Sequence, residues 1–164
     1  MEFKLGPHDS LTQTSTAWDF NIDTDAELLE LTMIDFMSKN KGIGLAANQI
    51  GLTKRVFVMG SNNIEGFPLP FAVFNPKIIE SSQELCIDQE GCLSYPGLWL
   101  NVKRPERIVV EYQTSKGDII TAEMSGLIAR CFQHELDHLD GVCFVDKVSK
   151  LKLQLAMKKL RKNK

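Results

Sequence analysis

Apolar residues recur at Leu28, Leu31, Ile34, Met37 and their neighbours, the periodicity of a helix. Thr24 and Glu27 precede them in the T-x-x-E order of a capping box, and Asn40-Lys41-Gly42 follows as a stop. The pattern then shortens. Runs rich in β-branched and aromatic residues at 55–59, 71–74, 107–113 and 118–122 predict strands, separated by turn signals at Asn62-Asn63, Asn75-Pro76 and Lys116-Gly117-Asp118. Connections this short favour antiparallel or mixed sheets. Helical spacing returns over 125–140 with Leu127, Ile128, Cys131, Phe132, Leu136 and Leu139, and Gly141 stands where such a helix stops. The tail, 147–164, alternates leucines with cations and predicts a short amphipathic helix. With no internal repeat or low-complexity linker, the chain reads as one α+β domain over 1–164.

Composition supports that reading and narrows the setting. Of 164 residues, 43% are hydrophobic and 24% charged, which suits a soluble core-forming chain and excludes a disordered one. No stretch approaches the roughly 18 continuous apolar residues of a membrane span, and MEFKLGPHDS lacks the basic start and apolar run of a secretion signal. A cytoplasmic protein is expected, with Cys86, Cys92, Cys131 and Cys143 as reduced thiols. Net charge is −2, yet eight Lys and Arg residues and no acid occur from Lys147 onward. Basic helices of this kind usually form a solvated face; the functional alternative is contact with RNA phosphates.

Candidate chemistry centres on CFQHELDHLDG, residues 131–141. On a helix, His134 and His138 lie one turn apart on one face and Glu135 beside them, the H-E-x-x-H arrangement of two metal ligands and a base. A catalytic ion usually takes three protein ligands and keeps one position open. The usual downstream solutions are missing: Phe144 occupies the third-ligand position of H-E-x-x-H-x-x-G-x-x-H, and no Glu follows Glu135, leaving Asp146 as a formal choice. An upstream ligand is the better expectation. Cys131 is seven residues from His138, roughly 10 Å along a helix, too far to share one ion with it. Cys86 sits in a plain apolar setting. Cys92, in the turn-rich EGCLSYPG, is modestly favoured over Cys143, and both stay open on local sequence alone.

GIGLAANQ (42–49), EGCLS (90–94) and QHELDH (133–138), in this order and at these separations, resemble the three motifs of the peptide deformylases. The resemblance runs from the first helix to about Phe144. It implies sheets packed around a central helix carrying the H-E-x-x-H residues. It implies that Cys92, His134 and His138 hold one divalent ion per chain, typically Fe2+, with Zn2+, Ni2+ or Co2+ also suited to the ligand set. Glu135 would move the water proton, while the Gln49 side-chain amide and the Leu93 N–H would meet the oxyanion. Without the family, Gln49 reads as a turn residue. Ile43, Gly44 and Gly91 would pair with the substrate backbone, and Ile43, Leu127 and Cys131 would line a pocket for methionine. The implied substrate is a nascent chain starting with N-formylmethionine, and a ribosome contact through the basic tail is the implied partner, with a monomer that binds neither DNA nor membrane. The alternative is a zincin-like metalloprotease. A closed structural zinc module would want a fourth protein ligand and has no use for Glu135. Two departures stand out: Trp99, where relatives often carry Arg, and Arg130 on the ligand-bearing helix face, expected to snorkel outward or to polarise the methionine pocket.

Overall fold

The computed structural model describes residues 1–162. The last two residues of the predicted basic helix, 163 and 164, lie outside the described residues. The elements are α1 (Asp9–Thr12), α2 (Ala26–Lys39), β1 (Gly44–Ala46), a 3-10 turn (Ala47–Ile50), β2 (Val56–Met59), β3 (Phe71–Ser81), β4 (Leu85–Cys92) and β5 (Tyr95–Pro105). There follow β6 (Arg107–Gln113), β7 (Ile119–Ser125), α3 (Gly126–Leu139), a second 3-10 turn (Phe144–Lys147) and α4 (Lys150–Lys162). The fold is α+β, as the patterning predicts. One sheet has five strands in the order β1-β2-β3-β6-β7 and the other is the β4-β5 hairpin, with every pairing inside them antiparallel. Among the described residues no helix is long and apolar enough to cross a membrane.

Strand β2 explains how the layers stack. All four of its residues are buried. Val56 and Val58 point to one side, where Met33 and Met37 of α2 meet them, and Phe57 and Met59 point to the other, where Phe132 of α3 lies edge-on to Phe57. A strand covered on both faces reads as a continuous apolar run, VFVM, rather than an alternating one. The hairpin is different: Leu98, Leu100 and Val102 are buried while Trp99, Asn101 and Lys103 are exposed. Its buried face receives Phe144 and, from α4, Leu153, Ala156, Met157 and Leu160. Helix α3 thus sits between the five-stranded sheet and the hairpin.

Three expectations change. The Thr24/Glu27 capping box does not form. Asp25 is the N-cap, with φ 63° and its carbonyl accepting from the Leu29 N–H at 2.8 Å, so Glu27 is the second helical residue, too early to reach back. Asn75-Pro76 is no turn between strands but an irregularity inside β3, where the register shifts between Phe74 and Lys77. Asn75 takes φ 49° and its side chain bridges outward, accepting from the Trp18 N–H at 2.8 Å and donating to the Trp18 carbonyl at 2.9 Å. A residue tolerant of the left-handed region serves a bulge as well as a turn. Finally, the hairpin strands β4 and β5 replace what reads as a turn-rich stretch around EGCLSYPG; only Leu93 and Ser94 lie between them.

Candidate active site

Helix α3 buries five polar or charged side chains, Arg130, Gln133, His134, Glu135 and His138, in 14 residues. Burial of that many polar groups is unfavourable unless each finds a partner or a bound ligand. Cys92 comes from the opposite layer, at the end of β4, where the register shifts between Gly91 and Cys92 and turns the chain toward the helix. One ligand atom each of Cys92, His134 and His138 lies within 4.8 Å of the others, and Cys92 Sγ is 3.2 Å from His138 Nε2. Cys143 meets the other nitrogen of that ring, Nδ1, at 3.9 Å, and so lies outside the cluster. Asp146 is also elsewhere, its carboxylate accepting from the Cys143 N–H at 2.9 Å.

The donor set suits a cation. Burial alone would lower the pKa of His134, but its hydrogen bonds to Cys92 and Glu90 outweigh that and raise it to about 10, so a positive charge is favoured between these groups. For His138, burial and then the charge of His134 push the pKa well down, which keeps the neutral imidazole that a metal needs. Behind His134 stands Glu90, with 2.9 Å between its Oε2 and His134 Nδ1, a bond that fixes the ring and leaves Nε2 as its other nitrogen. Burial would raise the pKa of Glu90; the paired hydrogen bonds of Arg104 at 2.6 and 2.9 Å and the bond to His134 hold it far below the ordinary carboxylate range.

Arg130 joins the same carboxylate at 2.7 Å and donates further to the carbonyls of Val102 and Cys86, both at 2.9 Å. It does not snorkel outward: its side chain is only 8% exposed. The outward alternative fails because the hairpin supplies a carboxylate and two carbonyls inside, while Arg130 still lines the cavity over the cluster. Arg104 also binds Asp137 of α3 at 2.7 Å, so the two guanidiniums stitch the hairpin to the helix.

A cavity of about 440 Å3 opens over the cluster, lined by Ile43, Gly44, Gln49, Gly91, Cys92, Leu93, Leu127, Cys131, His134 and Glu135 among others. His138 lies beneath it, fully buried. Trp99 stands at its wall, against Gly91, where a Cβ would be 3.0 Å from the indole. Gln49 sits in the first 3-10 turn, its Oε1 accepting from the Ala46 N–H at 2.8 Å while Nε2 donates to Ser94 Oγ at 3.1 Å and to Cys92 Sγ at 3.4 Å. Burial raises the pKa of Glu135 to about 7, with His134 and Arg104 acting against it, and its Oε2 is buried without a hydrogen-bond partner. Such an orphaned carboxylate oxygen, on the residue next to the ligand candidate His134, is what a bound water or substrate proton would satisfy.

The polypeptide deformylase family model matches residues 2–154. The chain belongs to the polypeptide deformylase family. A peptide deformylase of Rhizobium meliloti is 41% identical over 156 residues, covering 95% of this chain and 89% of the relative. Peptide deformylase 2 of Gloeobacter violaceus is 45% identical over 127 residues, 77% of this chain and 68% of the relative. The crystal structure of the Synechococcus elongatus peptide deformylase in complex with actinonin superposes with a TM-score of 0.88 at 38% identity, covering 96% of this chain and 86% of that one. These deformylase relatives give no support to the zincin-like alternative.

Seen as a deformylase, the site contains residues that sequence reasoning passed over. Glu90 opens the EGCLS motif, but its partners come from β5 and α3 and leave no local signal of its role. Arg104 carries no local signal, because its partner is 14 positions away across the hairpin. Gly44 was expected at the substrate backbone, and a second constraint acts on it: a Cβ there would stand 2.2 Å from Glu135 Oε1 and 2.7 Å from its Cδ. Gly44→Ala is therefore expected to displace the Glu135 carboxyl and lower kcat by about a hundredfold at unchanged metal content, since small misplacements of a reacting group cost that much. Steady-state kinetics beside metal analysis checks it.

Proposed function

We propose that Cys92, His134 and His138 hold one divalent ion, over which Glu135 and Gln49 act on the formamide of a formylated peptide. The chain is a metal-dependent hydrolase that removes the formyl group from the N-terminal formylmethionine of nascent polypeptides and releases formate. The observation that carries the residue assignment is the meeting of Cys92, His134 and His138 donor atoms within 4.8 Å at a cavity that Glu135 also lines, its buried Oε2 having no hydrogen-bond partner. When bound, the ion supplies Lewis acidity and lowers the pKa of a coordinated water from about 15.7 toward 7. Ferrous iron is the ion typical of the family, and zinc, nickel and cobalt satisfy the same ligands.

Glu135 takes the water proton and returns it to the leaving nitrogen; a pKa near 7 suits a group that must both accept and donate at neutral pH. The Gln49 Nε2–H and the Leu93 N–H receive the developing charge on the formyl oxygen. Strand β1 is an edge of its sheet and β4 has only β5 as partner; Gly44 of β1, Gly91 of β4 and Ile43, just before β1, line the cavity. A peptide adding as a strand between these two edges would bring its first side chain toward Leu127 and Cys131. Nascent formylated chains emerge in the cytoplasm, and that is where the reaction runs.

Formate release from formyl-Met-Ala-Ser by anaerobically purified protein tests the reading. Wild type is expected to carry about one ion per chain and to release formate, whereas Cys92→Ser loses most of the ion and the activity together. Full activity and metal content in Cys92→Ser would overturn the ligand assignment. The exposed cations of α4, Lys152, Lys158, Lys159, Arg161 and Lys162, face away from its packed residues and suit the ribosomal RNA surface near which the substrate emerges. Truncation after Val148 should reduce co-sedimentation with ribosomes at low salt and spare hydrolysis of short peptides; equal co-sedimentation of the two forms excludes the contact.

A further inference from the structure

The N-terminal segment touches the site through backbone bonds to Gln49, one of the proposed oxyanion donors, and to Ser94, the neighbour of the other. The Lys4 N–H donates to the Gln49 carbonyl at 2.7 Å and the Gly6 N–H donates to the Ser94 carbonyl at 2.9 Å. Those two residues are themselves joined by the Gln49 Nε2 to Ser94 Oγ bond at 3.1 Å, so strap, 3-10 turn and hairpin tip close a ring. Further along, Ser10 Oγ–H donates to the Asn48 carbonyl at 3.0 Å, and the Asn48 amide in turn donates to the carbonyl of His138. The strap is seated at both ends. Phe3 packs on Phe36 of α2 with ring centroids 4.7 Å apart, and Gly6 passes so close to Tyr95 that a Cβ would stand 2.1 Å from the phenol ring.

We propose that residues 3–10 are a positioning strap that sets the Gln49 amide and the Leu93-Ser94 turn at their working separation. The inference rests on the assignment of Gln49 and Leu93 as oxyanion donors. Those donors come from two segments far apart in the chain, the turn that follows β1 and the tip of the β4-β5 hairpin, and the two strands belong to different sheets. A donor is effective only when held in place before the charge develops. The strap is the backbone that bonds to both segments at once, so it restrains their spacing without touching substrate. It acts through Gln49 and is not a catalytic element itself.

Lys4→Pro removes the one N–H that reaches Gln49 and keeps the rest of the chain, while Lys4→Ala keeps that N–H. On formyl-Met-Ala-Ser, well below the melting temperature, Lys4→Pro is expected to lower kcat by about tenfold or more with KM unchanged within about twofold, and Lys4→Ala to behave as wild type. In a cycle with Gln49→Ala the two losses should be strongly non-additive, because the strap acts through a group the second change deletes. The cobalt-loaded Lys4→Pro protein should also show a shifted thiolate-to-cobalt band, since Gln49 Nε2 hydrogen-bonds Cys92 Sγ. A segment that merely stabilised the fold would lower the melting temperature and leave kcat and that band alone. Unchanged kcat, or losses that simply add while Gln49→Ala is costly, would overturn the strap and leave the Gln49 assignment intact. No cost in Gln49→Ala would overturn both. Should Lys4→Pro give no cooperative melt, Ser10→Ala, which takes one hydroxyl from the contact with Asn48, replaces it in the same cycle with the same criteria.

Discussion

Glu135→Gln is expected to lower kcat for formate release by about a thousandfold or more while the fold and the bound ion are retained. The carboxylate is not counted among the ion-binding donors, so its loss removes proton transfer alone, a contribution commonly worth about 10²- to 10⁴-fold. The amide is nearly the same shape and fills the same buried space. Its effect on the apoprotein should be stabilising at and above neutral pH. The folded-state pKa of Glu135 is raised to about 7 from the ordinary 4.5 of an exposed glutamate. The native state therefore binds the proton more tightly than the unfolded chain, and stability is lost as pH rises from about 4.5 through 7, by on the order of 3 kcal/mol. Gln carries no such penalty. Kinetics with metal analysis tests the first part, and thermal melts of chelated protein at pH 5 and pH 8 test the second; retained formate release would remove Glu135 from the mechanism.

Glu90→Ala should have the largest effect on stability. The change leaves the Arg104 and Arg130 guanidiniums, 4% and 8% exposed at their side chains, without the carboxylate they share. Removing one partner of a buried ion pair costs about 3–5 kcal/mol because the remaining charge stays buried; here Arg130 is left with carbonyls alone and Arg104 with only Asp137. His134 also loses its Nδ1 partner, so ion affinity should fall, by about 10- to 100-fold as for other outer partners of ligating histidines. The pH dependence has the opposite sign to that of Glu135. Glu90 is depressed in the folded state, so its contribution is fully present above about 4.5, the ordinary value of a glutamate, and is lost as pH falls from there toward its much lower folded value. Wild type should thus show an acid-labile component that Glu90→Ala lacks, read from denaturant titrations at pH 3 to 7. Equal stability of the two proteins at pH 7 would show that the arginines find other partners.

What could be read from the chain and what could not follows the range of the forces involved. Helix α3 was expected over 125–140 and occupies Gly126–Leu139, because a strong apolar period and the Gly141 stop are both local. Strand β6 matches its expected bounds for the same reason. The hairpin was missed although LWLNVK, residues 98–103, alternates cleanly; Gly91, Pro96 and Gly97 suggested a loop, and only the pairing across β4 and β5 shows them absorbed into strands. At the site, the three segments could be identified by their motifs. The Glu90, Arg104 and Arg130 network could not, since each member looks unremarkable until the hairpin folds onto α3. Arg130 shows the limit of a single-residue rule: a charge on an apolar face stays inside when a carboxylate arrives from another layer.

The two unpaired edges on either side of the cavity, β1 and β4, bear on how general such an enzyme can be. Main-chain hydrogen bonds are the same for every residue except proline. A guest strand held between these edges would be read by its formyl group, its first side chain and its extended backbone, and hardly by the gene that encoded it. Breadth across a whole proteome then needs no broad pocket; it comes from leaving two sheet margins open to a stranger's peptide groups.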